Sequence, residues 1–408
     1  MAGKSRKNEV LNVALIGTQF MGRAHSNAWL NVTRFFNLKR PVSMHTACGL
    51  PVDKPEAFAA KWGWGQGVPN YKRDVVANPD IELVDIATPN HVHAEIAIAA
   101  LEAGKHVSCE KPLAGTLADA KQMVEAAKKA KRRKQHTFVW FNYRRVPAIG
   151  LAHQLVTSGK LGRIYHVRAA YLQEWGGPDT PLVWRFDRKV AGSGAHGDLN
   201  AHIIDMARFI TGDEVTEVVG SVEETFIKQR VIPEEYGAEI KGKAGRKGTK
   251  KRMGRSTVDD LVIFLARFKG GAVASFEASR LSTGNKNRNM IEINGEHGSI
   301  RFDFERMNEL DYYDANAPAA VRGWTNIMCT DGTVHPYVAN WWPDAHVIGY
   351  EHTFVNQASD IVNILASPSV KPVVPIADFA DAYKTQCVLE AAIVSARERR
   401  PVKVREIT

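Results

Sequence analysis

Across the first 141 residues, short strand-like runs alternate at least four times with helical stretches, on short connections. The runs fall at residues 10–16, 43–48, 83–87, 106–109 and 137–141, the helical stretches at about 22–36, 54–62, 93–103 and 117–131. The first, Val10 to Ile16, is a short apolar run rich in β-branched residues that ends at Gly17, the pattern of a buried parallel strand. Strands that alternate with helices on short connections return parallel, so this half predicts a doubly wound α/β fold: a parallel sheet with helices on both faces.

Beyond residue 145 the rhythm changes. A helix at 148–158, a strand at 164–171 and a helix near 199–210 precede longer strands at 215–225, 258–268, 271–279, 289–294 and 298–304. Lys269-Gly270-Gly271 and Asn294-Gly295-Glu296 supply hairpin turns, and 351–366 and 379–397 read as closing helices. The expectation is a C-terminal α+β domain with an open, mainly antiparallel sheet, the boundary falling at 142/143. Residues 233–255, rich in Gly and Lys and without periodicity, read as a mobile basic insertion or exposed loop.

A length of 408 residues with 44% hydrophobic and 24% charged side chains fits a soluble protein of two or three domains. The formal charge of +10 concentrates at Lys4, Arg6 and Lys7, at 128–134, and at 241–255. Such charge suits nucleic acid or an anionic small molecule. No helix-turn-helix, zinc-finger or RNP pattern accompanies it, so the reading is no nucleic-acid partner. Lys128 to Lys134 close a helix where cations suit the dipole, and 241–255 reads as a solvated excursion with no assigned role. No apolar run reaches the roughly 18 residues of a membrane span. Cys48, Cys109, Cys329 and Cys387 are far apart and form no CxxC, which predicts a reducing, cytoplasmic setting without disulfide framework or structural zinc. His91 and His93 have no further ligand nearby, so no metal site is expected.

Gly17-Thr18-Gln19-Phe20-Met21-Gly22 stands where the first strand turns into the first helix. In that context G-x-G-x-x-G lets backbone N–H groups approach a pyrophosphate at the helix N-terminus. The first and third glycines are present and Gln19 replaces the second. The acid expected at the end of the second strand is absent: Gly49 stands there and the nearest carboxylate is Asp53. This turn leaves the cofactor choice open, since loss of the carboxylate removes a bar to the 2′-phosphate of NADP yet no arginine stands in its place. The expected cofactor is NAD, with NADP not excluded.

Glu110-Lys111-Pro112 follows a buried strand, which places Lys111 at the carboxyl edge of the sheet; on these three residues alone a surface lysine at a loop is the favoured reading. A glycine-rich turn, Gly192 to Gly197, leads into Asp198 with His202 four residues on. Asp and His at that spacing can orient an imidazole to accept a proton from an alcohol, or can be an N-cap and a half-buried histidine.

Taken together and in order, the Gly17 to His25 turn, Thr88-Pro89-Asn90-His91-Val92-His93, Glu110-Lys111-Pro112, and Gly197-Asp198 with His202 and Asp205 resemble the Gfo/Idh/MocA (glucose–fructose oxidoreductase / myo-inositol dehydrogenase) family over nearly the whole chain. The resemblance implies an NAD(P)-dependent sugar or polyol dehydrogenase with residues 1–142 binding dinucleotide and 143–408 binding substrate and forming oligomer contacts. Carried over by motif, Lys111, Asp198 and His202 are catalytic: Lys111 polarises the substrate oxygen, Asp198 binds a hydroxyl and His202 is the base. Gly17, Thr18, Gln19, Phe20, Met21, Gly22, Thr88, Asn90, His93, Glu110 and Lys111 are the cofactor-binding set. Stretches at 142–145, 171–175, 184–185 and 340–352 look similar to the family's levoglucosan dehydrogenase-like sugar 3-dehydrogenases. That likeness implies hydride transfer from a secondary hydroxyl, C3, of a pyranose-type sugar, anhydrosugar or glycoside. Tyr143, Gln173, Trp175 and Arg185 join Asp198 and His202 as substrate-binding candidates, because sugars are held by aromatic faces and a few polar groups. Two other readings stay open: a redox-neutral enzyme cleaving or epimerising glycosides through transient C3 oxidation, and a non-catalytic dinucleotide-binding regulator. An apolar open sheet face predicts a homodimer or homotetramer.

Overall fold

The sequence LNVALI gives β1 (Leu11–Ile16), buried along almost its whole length at the centre of a parallel sheet. In this computed structural model residues 10–233, 252–367 and 369–408 are described. Two compact units emerge. The first comprises the described part of Met1–Leu113 with Ala118–Asn142 and Gly349–Ala380; the second comprises Ala114–Leu117, Tyr143–Ile348 and Asp381–Thr408.

In the first unit β2 (Val42–Cys48), β3 (Gln66–Val68), β4 (Leu83–Ile86), β5 (His106–Cys109) and β6 (Thr137–Val139) join β1 in the order β3-β2-β1-β4-β5-β6, every pairing parallel. The order reverses between β1 and β4, and a crevice outside the carboxyl ends of strands at such a reversal is where doubly wound sheets bind ligands. Helices Phe20–Phe35, Pro55–Trp62, His93–Glu102 and Leu117–Lys131 connect the strands. Helix Tyr350–Ala366 packs against Phe20–Phe35. Its attachment is polar as well: Gln357 Nε2 donates to Val139 O at 2.9 Å and Asn142 Nδ2 to Thr353 Oγ1 at 2.9 Å.

The second unit is built on β7 (Ile164–Leu172), β8 (Val215–Glu224), β9 (Gln229–Val231), β10 (Met253–Arg255), β11 (Leu261–Phe268), β12 (Val273–Ser279), β13 (Arg288–Gly295), β14 (Gly298–Asp303), β15 (Glu309–Asp314), β16 (Trp324–Met328) and β17 (Val402–Lys403). Nine strands form one sheet, β16-β15-β14-β13-β7-β12-β11-β8-β17, antiparallel except for β7 with β12. Alternation sorts its faces. Val262, Phe264, Ala266 and Phe268 are buried, while Ile263 and Leu265 are exposed. Across the hairpin Phe264 lies opposite Phe276 with rings stacked at 4.8 Å; burying each such side chain contributes about 1.5–3 kcal/mol. Helices Pro147–Thr157 and Ala201–Thr211 pack on one another, and the latter also packs on β7 and β13.

The parallel sheet and the mainly antiparallel sheet agree with the expected fold class. β3, β9, β10, β15, β16 and β17 are additional to the sequence reading. The strand expected from 258 begins at Leu261 because Asp259 and Asp260 spend their carboxylates on neighbouring backbone. Of the basic insertion, 234–251 lies outside the described residues, and its flanks pair as β9 with β10. Among the described residues no helix is long and apolar enough to cross a membrane.

Candidate active site

Gly17 follows β1 at φ +108°, and a Cβ there would lie 2.4 Å from Ala87 O at the end of β4. A Cβ on Gly22 would lie 2.1 Å from Gly17 O. The two glycines let the turn fold tightly under the amino end of Phe20–Phe35. That end carries no side-chain cap and no acid in its first turn, so its free N–H groups and dipole suit an anion.

The two departures from the glycine pattern compensate each other. A Cβ on Gly49 would lie 2.7 Å from Thr18 Oγ1, so the Thr18 side chain occupies the space beside that position. Asp53, in the turn Pro51–Asp53 just beyond, instead accepts a hydrogen bond from Gln19 Nε2. Asp53, the carboxylate nearest in sequence to Gly49, is thus held by the residue that stands in place of the second glycine. Thr18 Oγ1 and Thr88 Oγ1 are buried without a hydrogen-bond partner. Orphaned hydroxyls, an uncapped helix start and a glycine cradle fit a dinucleotide diphosphate and ribose.

Asn90 lies half-buried in the turn Asn90–Val92, and His93 opens the next helix fully buried. The His93 ring bridges two loops, with Nε2 2.9 Å from Thr88 O and Nδ1 3.2 Å from Pro112 O. Burial holds its pKa below the ordinary imidazole value. Glu110 is buried at the end of β5; its Oε2 accepts the Lys111 N–H at 3.0 Å and its Oε1 lies 2.9 Å from His25 Nε2. The Lys111–Pro112 peptide is cis.

In the second unit the turn Gly192 to Gly197 is seated by Asp259, whose carboxylate accepts from Gly194 N at 2.7 Å and His196 N at 2.8 Å. Asp198 follows in a wide turn, His196–Asn200, and does not cap the helix. Its Oδ2 accepts from Arg280 Nη2 at 2.8 Å and its Oδ1 lies 3.5 Å from Arg185 Nη1. Arg280 is 1% exposed, donates to Arg185 O at 3.2 Å and lies over the Trp175 ring at 5.0 Å.

His202 enters the first turn of Ala201–Thr211 with its ring 4.5 Å from that of Tyr143 and 5.9 Å from that of Tyr171. A hydrogen-bond chain runs beside it. The indole of Trp175 only donates, so Gln173 Oε1 must face it at 2.6 Å, which turns Gln173 Nε2 toward Asn287 Oδ1 at 2.6 Å. Asn287 Oδ1 then accepts from Tyr171 OH at 2.8 Å, and Tyr143 OH donates to Tyr171 at 2.6 Å. One donor-only group therefore orients the whole series.

The structure brings Tyr143, Gln173, Trp175, Arg185, Asp198 and His202 into one network within the second unit. It gathers Gly17 to Gly22, Thr88, His93, Glu110 and Lys111 at the carboxyl ends of β1, β4 and β5 in the first. Phe20 and Met21 open the first helix. Arg280, Asn287, Asp259 and His25 complete these networks and were not among the sequence candidates. Only His25 carried a local signal, three residues beyond Gly22 on the inward face of the first helix.

A parallel sheet reversing at a glycine turn, with an uncapped helix start and a paired carboxylate beyond the second strand, is the framework of a dinucleotide-binding protein. The chain belongs to the GFO/IDH/MocA family: residues 11–138 match the oxidoreductase family with NAD-binding Rossmann fold, and 149–301 match the GFO/IDH/MocA C-terminal domain. It is 42% identical over 404 residues to levoglucosan dehydrogenase of Pseudarthrobacter phenanthrenivorans, covering 98% of this chain and 99% of that one. A solved oxidoreductase domain protein from Kribbella flavida superposes with a TM-score of 0.88 at 46% identity, covering 97% and 99% of the two chains. Levoglucosan dehydrogenase solved with NADH and levoglucosan superposes with a TM-score of 0.85 at 39% identity over the same shares.

Proposed function

We propose that this NAD-dependent dehydrogenase oxidises a secondary hydroxyl, at C3, of a pyranose-type anhydrosugar or glycoside, with levoglucosan the first substrate to test. The observation that carries the reading is the fixed network around His202. It offers Trp175 and Tyr143 as aromatic surfaces, Asp198 held between Arg280 and Arg185, and amides of settled orientation, which is what a ring bearing several hydroxyls requires. Lys111 donates to the substrate oxygen and favours its negative character, Asp198 accepts from a neighbouring hydroxyl, and His202 takes the hydroxyl proton. NAD, when bound at the Gly17 to Gly22 turn with Thr88, Asn90, His93 and Glu110 nearby, supplies the hydride acceptor. Residues 1–142 carry the dinucleotide and 143–408 the substrate.

Incubation of the protein with NAD and, in parallel, NADP across sugars, anhydrosugars and polyols tests this by absorbance of the reduced cofactor. The expected result is net NADH formation with levoglucosan or a near analogue. Lys111→Ala is expected to keep NADH binding and to lose turnover by about a hundredfold or more. A protein that binds NADH yet reduces no NAD across the panel overturns the reading.

The open face of the nine-stranded sheet supports a homo-oligomer. Val222 and Ile263 lie directly opposite one another on it, with Leu265 and Val273 alongside, all exposed. Four buried cysteines outside any disulfide support a reducing compartment, the cytoplasm.

A further inference from the structure

His25 is fully buried on the inward face of Phe20–Phe35 and has no part in the roles above. Its Nδ1 lies 3.0 Å from Asp85 Oδ2 and its Nε2 2.9 Å from Glu110 Oε1. An ionised carboxylate only accepts, so a ring that satisfies both must donate from both nitrogens, as imidazolium alone does. Asp85 is ionised. Trp29 Nε1 also donates to its Oδ2 at 2.7 Å, and Ser108 Oγ and Trp140 Nε1 donate to its Oδ1 at 2.8 Å each. Burial opposes ionisation, but His25 and these donors together hold the Asp85 pKa below the ordinary carboxylate value. The rings of Trp140 and Phe354 close over the imidazole at 4.4 and 5.6 Å. Around the triad the other titratable groups are Cys109 and His93, both buried, and Lys111. Burial alone would depress the His25 pKa, and the two carboxylates overcome it and raise it to about 9.

The far oxygen of Glu110 accepts the backbone N–H of Lys111. A continuous series therefore runs from a helix whose amino end suits the cofactor diphosphate, through His25 and Glu110, to the loop bearing Lys111. We propose that His25 is a positioning residue for Lys111: anchored by Asp85, its doubly donating ring fixes Glu110, and Glu110 fixes the Lys111 backbone. The inference rests on Lys111 carrying the chemistry.

His25→Gln tests it, because an amide that turns its Nε2 toward one carboxylate presents its Oε1, an acceptor, to the other. The expected loss is about a hundredfold in kcat with the sugar KM and NADH affinity nearly unchanged. The double variant His25→Gln/Glu110→Gln restores a complete series: the amide introduced at position 25 donates to Asp85 and accepts from the amide introduced at position 110, whose oxygen takes the Lys111 N–H. Net charge then equals that of the wild type. Recovery to about a third or more of wild-type kcat is expected; a double variant as slow as the single overturns the proposal, and so does a single variant with normal kcat.

Should neither variant fold, nitrogen-15 spectra of histidine-labelled wild type at pH 8 decide. Two slowly exchanging ring N–H protons on His25 are expected, and a singly protonated ring overturns the proposal. Lys111→Met separates the two readings. Activity that survives it removes the role of Lys111, whereas lost activity beside an unimpaired His25→Gln removes that of His25.

Discussion

In the proposed cofactor site Gln19 and Asp53, joined by a hydrogen bond, stand at the adenosine end. A carboxylate there accepts from ribose hydroxyls and repels a 2′-phosphate, and the Gln19 amide keeps Asp53 turned toward the glycine cradle. Asp53→Ser is therefore expected to shift the ratio of kcat/KM for NADP over NAD upward by at least about tenfold. An unchanged ratio in parallel assays with the two cofactors rules that placement out. Arg280 works at the other end of the chemistry. Arg280→Met removes a charged hydrogen bond to Asp198 of about 1.5–3 kcal/mol, so kcat/KM is expected to fall roughly ten- to hundredfold; steady-state kinetics showing less than a threefold loss contradict it. These residues differ in how readable they were. Lys111, Asp198 and His202 sit in short strings whose local turns announce them. Arg280 ends a strand with no motif around it, and reaches Asp198 only because β12 pairs with β11 and β7, a non-local fact. Asp53 was visible as the nearest acid, but its use depends on Thr18 filling the space beside Gly49.

Elements obey the same division. The strands β1 and β4 were legible because burial on both faces leaves a largely apolar string, whereas β2 (VSMHTAC) and β5 (HVSC) were legible through their place in the strand-helix alternation. β3 and β17, three and two residues long, are specified by their neighbours and not by their own composition. Helix Tyr350–Ala366 is legible as a helix, but its attachment beside β6 and the first helix rests on Asn142, Thr353 and Gln357, which no pattern pairs in advance. Coupling between elements has a thermodynamic signature at His25, which joins Phe20–Phe35 to the ends of β4 and β5. Its folded pKa of about 9 exceeds the ordinary 6.5, so folding takes up a proton between those values. The stabilisation is complete below pH 6.5 and is lost as pH rises through about 9, an amount of about 3 kcal/mol. Chemical unfolding is expected to show the wild type losing its advantage over His25→Gln across that window. A constant difference from about pH 6.5 to 9.5 means that His25 is not protonated in the folded state.

At the scale of the whole molecule the large sheet leaves a problem that one chain does not solve. On one face Phe264, Phe276 and their neighbours are covered, and helix Ala201–Thr211 packs against β7 and β13. On the other, Val222, Ile263, Leu265 and Val273 stand in water on adjacent strands, with Arg168 and Arg267 beside them. Exposed apolar side chains on paired strands are a continuous patch, and a patch of that kind marks an association surface. A second copy of this chain is the partner always present at equal concentration, and a two-fold axis lets the same patch serve both sides. Leu265→Lys places a charge in the middle of such a contact, where desolvating an unpaired ammonium costs several kcal/mol, while a lone chain bears it at its surface with little effect. Light scattering is therefore expected to report a dimer or tetramer for the wild type and a smaller species for Leu265→Lys of unchanged circular dichroism. A wild-type monomer, or an assembly indifferent to the lysine, places the contact elsewhere and leaves the exposed face to another role.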